Sequence, residues 1–259
     1  MTPLELLALI AVFAIVRVAI SIRPRTPAGF DAESSGIGAA PEDQPRTGPS
    51  TRTVIREYLD AFIVAGLVAL FLITFVVRTF FIPSESMEPT LLVHDVLLVN
   101  EFEYRFTKPH EGDIVVFPPP IPNPNDFIKR TIGLPGDNIR VHNGVVYRNG
   151  VAMREPYIED KPNYELEIKN YGIYVDGTPL DPGQANIPPR ERWSAPDRIP
   201  DGCYMMFGDF RTNSEDSHVW GFAQAGGTFM SGPRKGEKAG FTGHAFLIFW
   251  PLNRIRILH

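Results

Sequence analysis

The stretch from Ala61 to Val77 contains no charged residue, and Phe80, Phe81 and Ile82 prolong its apolar character past Arg78. A helix needs about 20 mostly apolar residues to cross the hydrocarbon core of a bilayer. The pattern therefore predicts a transmembrane helix over residues 58–79, which leaves only the flanking chain to build a water-exposed domain. A second apolar run, Leu6 to Ile22, contains Arg17. That charge is costly at mid-bilayer but tolerable near an end, where the long side chain reaches the interface. No Lys or Arg precedes this run and no small-residue cleavage site follows Ile22, so residues 1–22 read as an uncleaved anchor rather than a removable leader.

Arg23, Arg25, Arg52 and Arg56 all lie between the two runs, whereas Met1 to Leu6 has no basic residue. Basic loops stay on the cytoplasmic side, so residues 23–57 are expected there. Their Pro, Gly, Ser and acidic content predicts a flexible segment without a packed core. Residues 80–259 are then expected to face outward, which in a bacterium means the periplasm or the cell exterior.

Beyond Pro83 the pattern changes to short β-branched and aromatic runs: Val96–Val99, Asp113–Phe117, Val145–Tyr147 and Ala245–Phe249. Asn143-Gly144, Asn149-Gly150 and Asp176-Gly177 separate such runs and are hairpin-turn pairs. The outer part is expected to be mainly antiparallel β. Residues 142–202 are polar and turn-rich and read as an insertion on its core, and Pro118-Pro119-Pro120 with Pro122 and Pro124 as a rigid loop.

A net charge of -5 offers no cationic surface for phosphate neutralisation, so nucleic acid is not an expected partner. Cys203 is the only cysteine, which excludes an intramolecular disulfide and any multi-cysteine zinc centre; it reads as a small buried side chain. The six histidines have no paired ligand spacing and no Gly-rich phosphate loop is present, so neither metal nor nucleotide nor other cofactor is expected.

The chemistry is concentrated in Ser86, just past the apolar segment, and Lys129, which follows Phe127 and Ile128. A serine hydroxyl needs a base to take its proton, and Ser-Lys pairs are one solution. The lysine must then be neutral, which burial among apolar groups favours. Taken singly, each residue also reads as an ordinary turn serine or exposed strand lysine.

Four ordered runs give the pair its context: 83–91 (PSESMEPTL), 112–117 (GDIVVF), 128–137 (IKRTIGLPGD) and 208–221 (GDFRTNSEDSHVWG). In order and spacing they resemble bacterial signal peptidase I, a membrane-bound Ser/Lys endopeptidase that removes signal peptides. The resemblance implies Ser86 as nucleophile and Lys129 as general base. It implies Ser84 and the backbone N–H of Ser86 as oxyanion donors, the two serines sharing one side of extended backbone. Ser214 would orient the lysine, Arg130 and Asp216 would form a nearby ion pair, and Asp209 and Arg211 would support them. Phe80, Ile82, Met87, Leu91, Leu97, Val116, Phe127 and Ile128 would wall shallow pockets for small residues at -1 and -3. Each also reads as core.

The family usually has Asn, Asp and Arg where this chain has Phe210, Thr212 and His218. Asp216 would then rely on Arg130 or Arg211, and Glu85 is expected to point to solvent. The resemblance further implies a smaller β cap between the lysine and Ser214 runs. Implied partners are exported preproteins, the lipid bilayer and the secretion translocon, and the implied state is a monomer in the inner membrane. Phe80, Phe81 and Trp250 are candidates for dipping into lipid. The alternative reading, favoured by Phe210, Thr212 and His218, is a membrane-anchored β-domain that binds exported chains without cutting them. Soluble self-cleaving Ser/Lys repressors fit less well, given two apolar spans.

Overall fold

The computed structural model describes residues 10–18, 51–75 and 77–258 and falls into two compact units that divide after Phe75. In the first, residues 10–18 are helical and α1 spans Thr51–Phe75. Gly66 lets the two meet, since a Cβ there would lie 2.8 Å from Cγ1 of Ile10. The rings of Phe13 and Phe62 stack at 5.7 Å. Arg17 donates from Nε to Oδ1 of Asp60 at 2.7 Å; its charge meets a carboxylate instead of depending on an interface alone. Among the described residues no helix is long and apolar enough to cross a membrane.

α1 begins inside the segment expected to be flexible (23–57) and stops before the end expected for it (58–79). Val77–Phe81 is strand β1, because its β-branched and aromatic side chains fit a half-buried pleated surface and its backbone pairs with the next strand. Most of the anticipated first anchor and of the loop after it, residues 1–9 and 19–50, lies outside the described residues.

The second unit is built from antiparallel sheets. The first contains β1, β2 (Val96–Asn100), β3 (Ile114–Phe117), β4 (Phe127–Gly133), β11 (Cys203–Phe207), β12 (Ala223–Gln224), β13 (Gly243–Trp250) and β14 (Arg256–Ile257). Its order is β1-β2-β13-β3-β4-β11-β12, with β14 on β13. The other sheet is inserted between β4 and β11. It holds β5 (Ile139–His142), β6 (Val145–Arg148), β7 (Val151–Ala152), β8 (Leu166–Lys169), β9 (Gly172–Val175) and β10 (Thr178–Pro179), in the order β10-β9-β8-β5-β6-β7. The insertion thus starts at Ile139, slightly ahead of the 142–202 expected. It shares its core with the first sheet, where Ile132, Met205 and Phe207 pack with Leu166, Ile173, Trp193 and Phe222.

The three Asn/Asp-Gly pairs join β5–β6, β6–β7 and β9–β10, with both residues of each at positive φ, between 49° and 81°. That is the backbone of the two-residue hairpin turn. Asn170-Tyr171 makes the same turn between β8 and β9 without glycine, at φ 50° and 64°. Tyr171 is held there by edge contact with Trp193 at 6.2 Å and by the Arg190 guanidinium 4.4 Å above its ring.

Candidate active site

β4 carries Lys129 and Arg130 side by side in the centre of the first sheet, opposite Val115 and Ile114 of β3. Lys129 is buried, with 4% of its surface exposed. Its Nζ donates to Oγ of Ser214 at 2.9 Å, and the Phe127 ring lies 5.7 Å away. Burial drives its pKa from the ordinary 10.5 down to about 8, against the opposing pull of Asp216, Glu215 and Asp209. A charged ammonium loses more solvation than a neutral amine on burial, so the free-base form is favoured.

Ser84 and Ser86 sit in the bends and turns that follow β1, with Glu88 N–H donating to Glu85 C=O at 2.9 Å and Leu91 N–H to Met87 C=O at 2.8 Å. This corrects the extended backbone expected there: Pro83 and Pro89 remove ladder donors and favour a turn. Ser84, Ser86 and Lys129 border one cleft of about 830 Å³. The backbone carbonyl of Ser86 accepts from Phe210 N–H at 3.2 Å. Glu85 is exposed and accepts from Asn213 Nδ2 at 3.3 Å.

Gly208 makes the close approach possible. A Cβ there would lie 2.1 Å from Ser214 Oγ and 2.3 Å from the Ser86 carbonyl oxygen, so only glycine lets the turn after β11 bring these two serines together. Sequence reading placed Gly208 in a motif without seeing this steric role.

Of the proposed wall residues, Phe80, Ile82, Met87, Phe127 and Ile128 line the cleft. Leu91, Leu97 and Val116 do not. They are fully buried in the core beneath, packed with Val99, Ile114 and Ile248, because they point to the inner face of the turn and strands. The far wall is instead Asn123–Asp126 of the proline loop, pinned by Thr242 Oγ1 donating to Asp126 Oδ2 at 2.8 Å.

The ion pairing also differs from expectation. Arg130 grips Asp209, from Nε at 2.9 Å and Nη2 at 2.7 Å; Thr90 Oγ1 donates to the same carboxylate at 2.5 Å, and the Tyr157 ring lies 4.0 Å under the guanidinium. Arg211 reaches Glu155 at 2.7 Å and Gly208 C=O at 2.8 Å. Asp216 pairs with His218 Nδ1 and caps α2 (Ser217–Trp220) by accepting the His218 N–H. A second oxygen of Asp216 accepts Gly208 N–H at 3.3 Å. His218 in turn stacks on Tyr164 at 4.1 Å, nearly parallel. His218 is thus held flat between Asp216 and the Tyr164 ring, which lies just before β8. Glu155, Tyr157 and Tyr164 were invisible as participants because they are far from the motif runs in sequence.

Cys203 is fully buried and burial pushes its thiol up to about 12, an unreactive state. Among the described residues no group of three or more His, Cys, Asp or Glu is placed to hold a metal ion.

Comparison with known proteins decides the family. The family model described as signal peptidase, peptidase S26, matches residues 55–229, more than half of the chain. The chain belongs to that family. A probable signal peptidase I-2 of Synechocystis is 39% identical over 206 residues, covering 76% of this chain and 73% of the relative. A signal peptidase I of Leptolyngbya laminosa is 34% identical over 223 residues, covering 83% and 90%. A solved signal peptidase I from Enterococcus faecalis is 30% identical over 46% of this chain and 91% of its own, with a TM-score of 0.32.

Proposed function

We propose that this peptidase-family chain is a membrane-bound serine endopeptidase that removes N-terminal signal peptides from exported preproteins, cutting after small residues at -1 and -3. The observation that carries the reading is Lys129: buried, hydrogen-bonded to Ser214, poised near pH 8 and bordering the cleft it shares with Ser84 and Ser86. In the proposed mechanism neutral Lys129 takes the proton of Ser86 Oγ as that oxygen attacks the scissile carbonyl. The tetrahedral oxyanion accepts hydrogen bonds from the Ser86 N–H and the Ser84 hydroxyl, each donor worth about 10²- to 10³-fold in rate. Lys129 then returns the proton to the leaving amine, and water, deprotonated by Lys129, hydrolyses the acyl ester. Ser214 keeps the amine oriented throughout. Phe80, Ile82, Met87, Phe127 and Ile128 give the cleft an apolar wall suited to small side chains.

Membrane attachment is part of the proposal. Ala61–Val77 is uncharged, and within the first unit Phe62, Val64, Leu67 and Val68 of α1 are exposed although apolar, which lipid would satisfy. The arginine distribution orients the catalytic unit outward, on the periplasmic or exterior side of a bacterial inner membrane.

The test is incubation of detergent-solubilised protein with a preprotein bearing an Ala-x-Ala site, with the cut located by mass spectrometry. Cleavage after the second Ala, abolished in Ser86→Ala and reduced by a bulky residue at -1, is expected. Folded protein that binds several preproteins and cuts none would favour the binding-only reading, which rests on Phe210, Thr212 and His218 and which the intact Lys129–Ser214 contact disfavours.

A further inference from the structure

We propose that the loop after β2, residues 102–108, is a second footing on the lipid surface, set at the opposite end of β1 from the active site; the proposal rests on the membrane-anchored reading above. Phe102 and Phe106 are 43% and 75% exposed although their rings lie 4.9 Å apart. The Arg105 guanidinium sits 5.8 Å from the Phe102 ring, and Arg105, Thr107 and Lys108 are exposed beside it. The neighbouring acids are engaged elsewhere: Glu101 with Arg78 at 3.0 Å, Glu103 with His244 at 3.1 Å and Asn100 at 3.3 Å. What faces outward is two aromatic rings and two cations, the composition that partitions to the headgroup region of an anionic leaflet.

The register says where this loop is. Val77 pairs with Asn100 and Phe81 with Val96, so the loop continues β2 directly from the point where the chain enters the β-unit. The apolar run Ala61–Val77, taken as lipid-embedded in the reading above, ends at the first residue of β1, so the loop that register sets beside that residue lies where the chain leaves the bilayer. At the other end of β1 stand exposed Phe81 and Trp250, the latter paired with Val96, together with exposed Leu252. The ends of β1 are separated by about 13 Å of strand. Two apolar footings at that separation hold β1 along the leaflet, and a site placed just past Phe81 stays at the depth where a signal peptide leaves the bilayer. One footing alone would let the unit tilt about its single tether.

The test places a nitroxide at Phe106→Cys in the full chain, reconstituted into phosphatidylcholine–phosphatidylglycerol vesicles, and reads its accessibility to oxygen and to a water-soluble nickel chelate. Val151→Cys, on the other sheet and 70% exposed, is the aqueous reference; labelled wild type, whose Cys203 is buried, is the blank. Greater oxygen than nickel accessibility at 106, reversed at 151, is expected. A second variant, Phe102→Ser/Phe106→Ser, is expected to raise KM for a vesicle-bound preprotein about 3- to 10-fold while leaving kcat unchanged. Equal, water-like accessibility at 106 and 151 in protein that resists carbonate extraction overturns the footing alone. Shielding of 106 from both reagents also overturns it, in favour of a protein partner. Release of the whole chain by carbonate overturns the anchored reading beneath it.

Discussion

Lys129 shows what the site costs the fold. Its ordinary pKa is 10.5 and its folded value about 8, so the unfolded chain binds more protons between those values and stability rises with pH across that window. Below about pH 8 the lysine is charged in both states and the folded state bears the full penalty, on the order of 3 kcal/mol. Lys129→Met is therefore expected to lose activity by about 10²- to 10⁴-fold yet to unfold at higher urea than wild type at pH 7, the advantage shrinking as pH approaches 10.5. Equal stability at both pH values would contradict the burial account. Asp216 is the largest charge opposing that burial. Asp216→Asn is expected to move the acid limb of the pH–rate profile downward, while loss of the His218 contact and the α2 cap lowers stability by about 1 kcal/mol. An unmoved limb would mean the carboxylate does not act on the lysine.

At the scale of elements, the turn after β11 is the tightest joint. Gly208→Ala is expected to cost about 10²-fold in kcat, because the added Cβ must displace Ser214 or the Ser86 backbone by more than an ångström; a melting curve alongside the rate separates misplacement from unfolding. The β-runs and the three Asn/Asp-Gly turns were legible in sequence, since β-branched and aromatic runs and left-handed turn residues are local signals. The helix limits of α1 were not, because an apolar run reads alike as the end of a helix or the start of a strand, and only pairing of β1 with β2 separates them. The same limit explains Leu91, Leu97 and Val116: sequence marks them apolar, but whether such a residue lines a cleft or the core beneath depends on facing strands. The Asn170-Tyr171 hairpin carried no glycine signal, and its geometry rests on tertiary contacts with Trp193 and Arg190.

Across the whole molecule, the four motif runs named the serines, the lysine and the charges Arg130, Asp209, Arg211 and Asp216, but not the partners those charges take from outside the runs. Those partners come from the inserted sheet and its flanks: Glu155 on Arg211, Tyr157 under Arg130, Tyr164 against His218. The insertion and its flanks thus contact the residues around Lys129, and of the three departures His218 meets Asp216 through its ring, whereas Phe210 and Thr212 engage Ser86 and Asp160 only through their backbone N–H groups. The central claim is that this assembly keeps Lys129 neutral enough to deprotonate Ser86. The measurement that tests it most directly is kcat/KM for a cleavable preprotein from pH 6 to pH 10. The account predicts a rate that rises through a single ionisation with a midpoint of about 8 in wild type. A profile flat across that range, or one whose limb stays near 10.5 as for an unburied lysine, would contradict it.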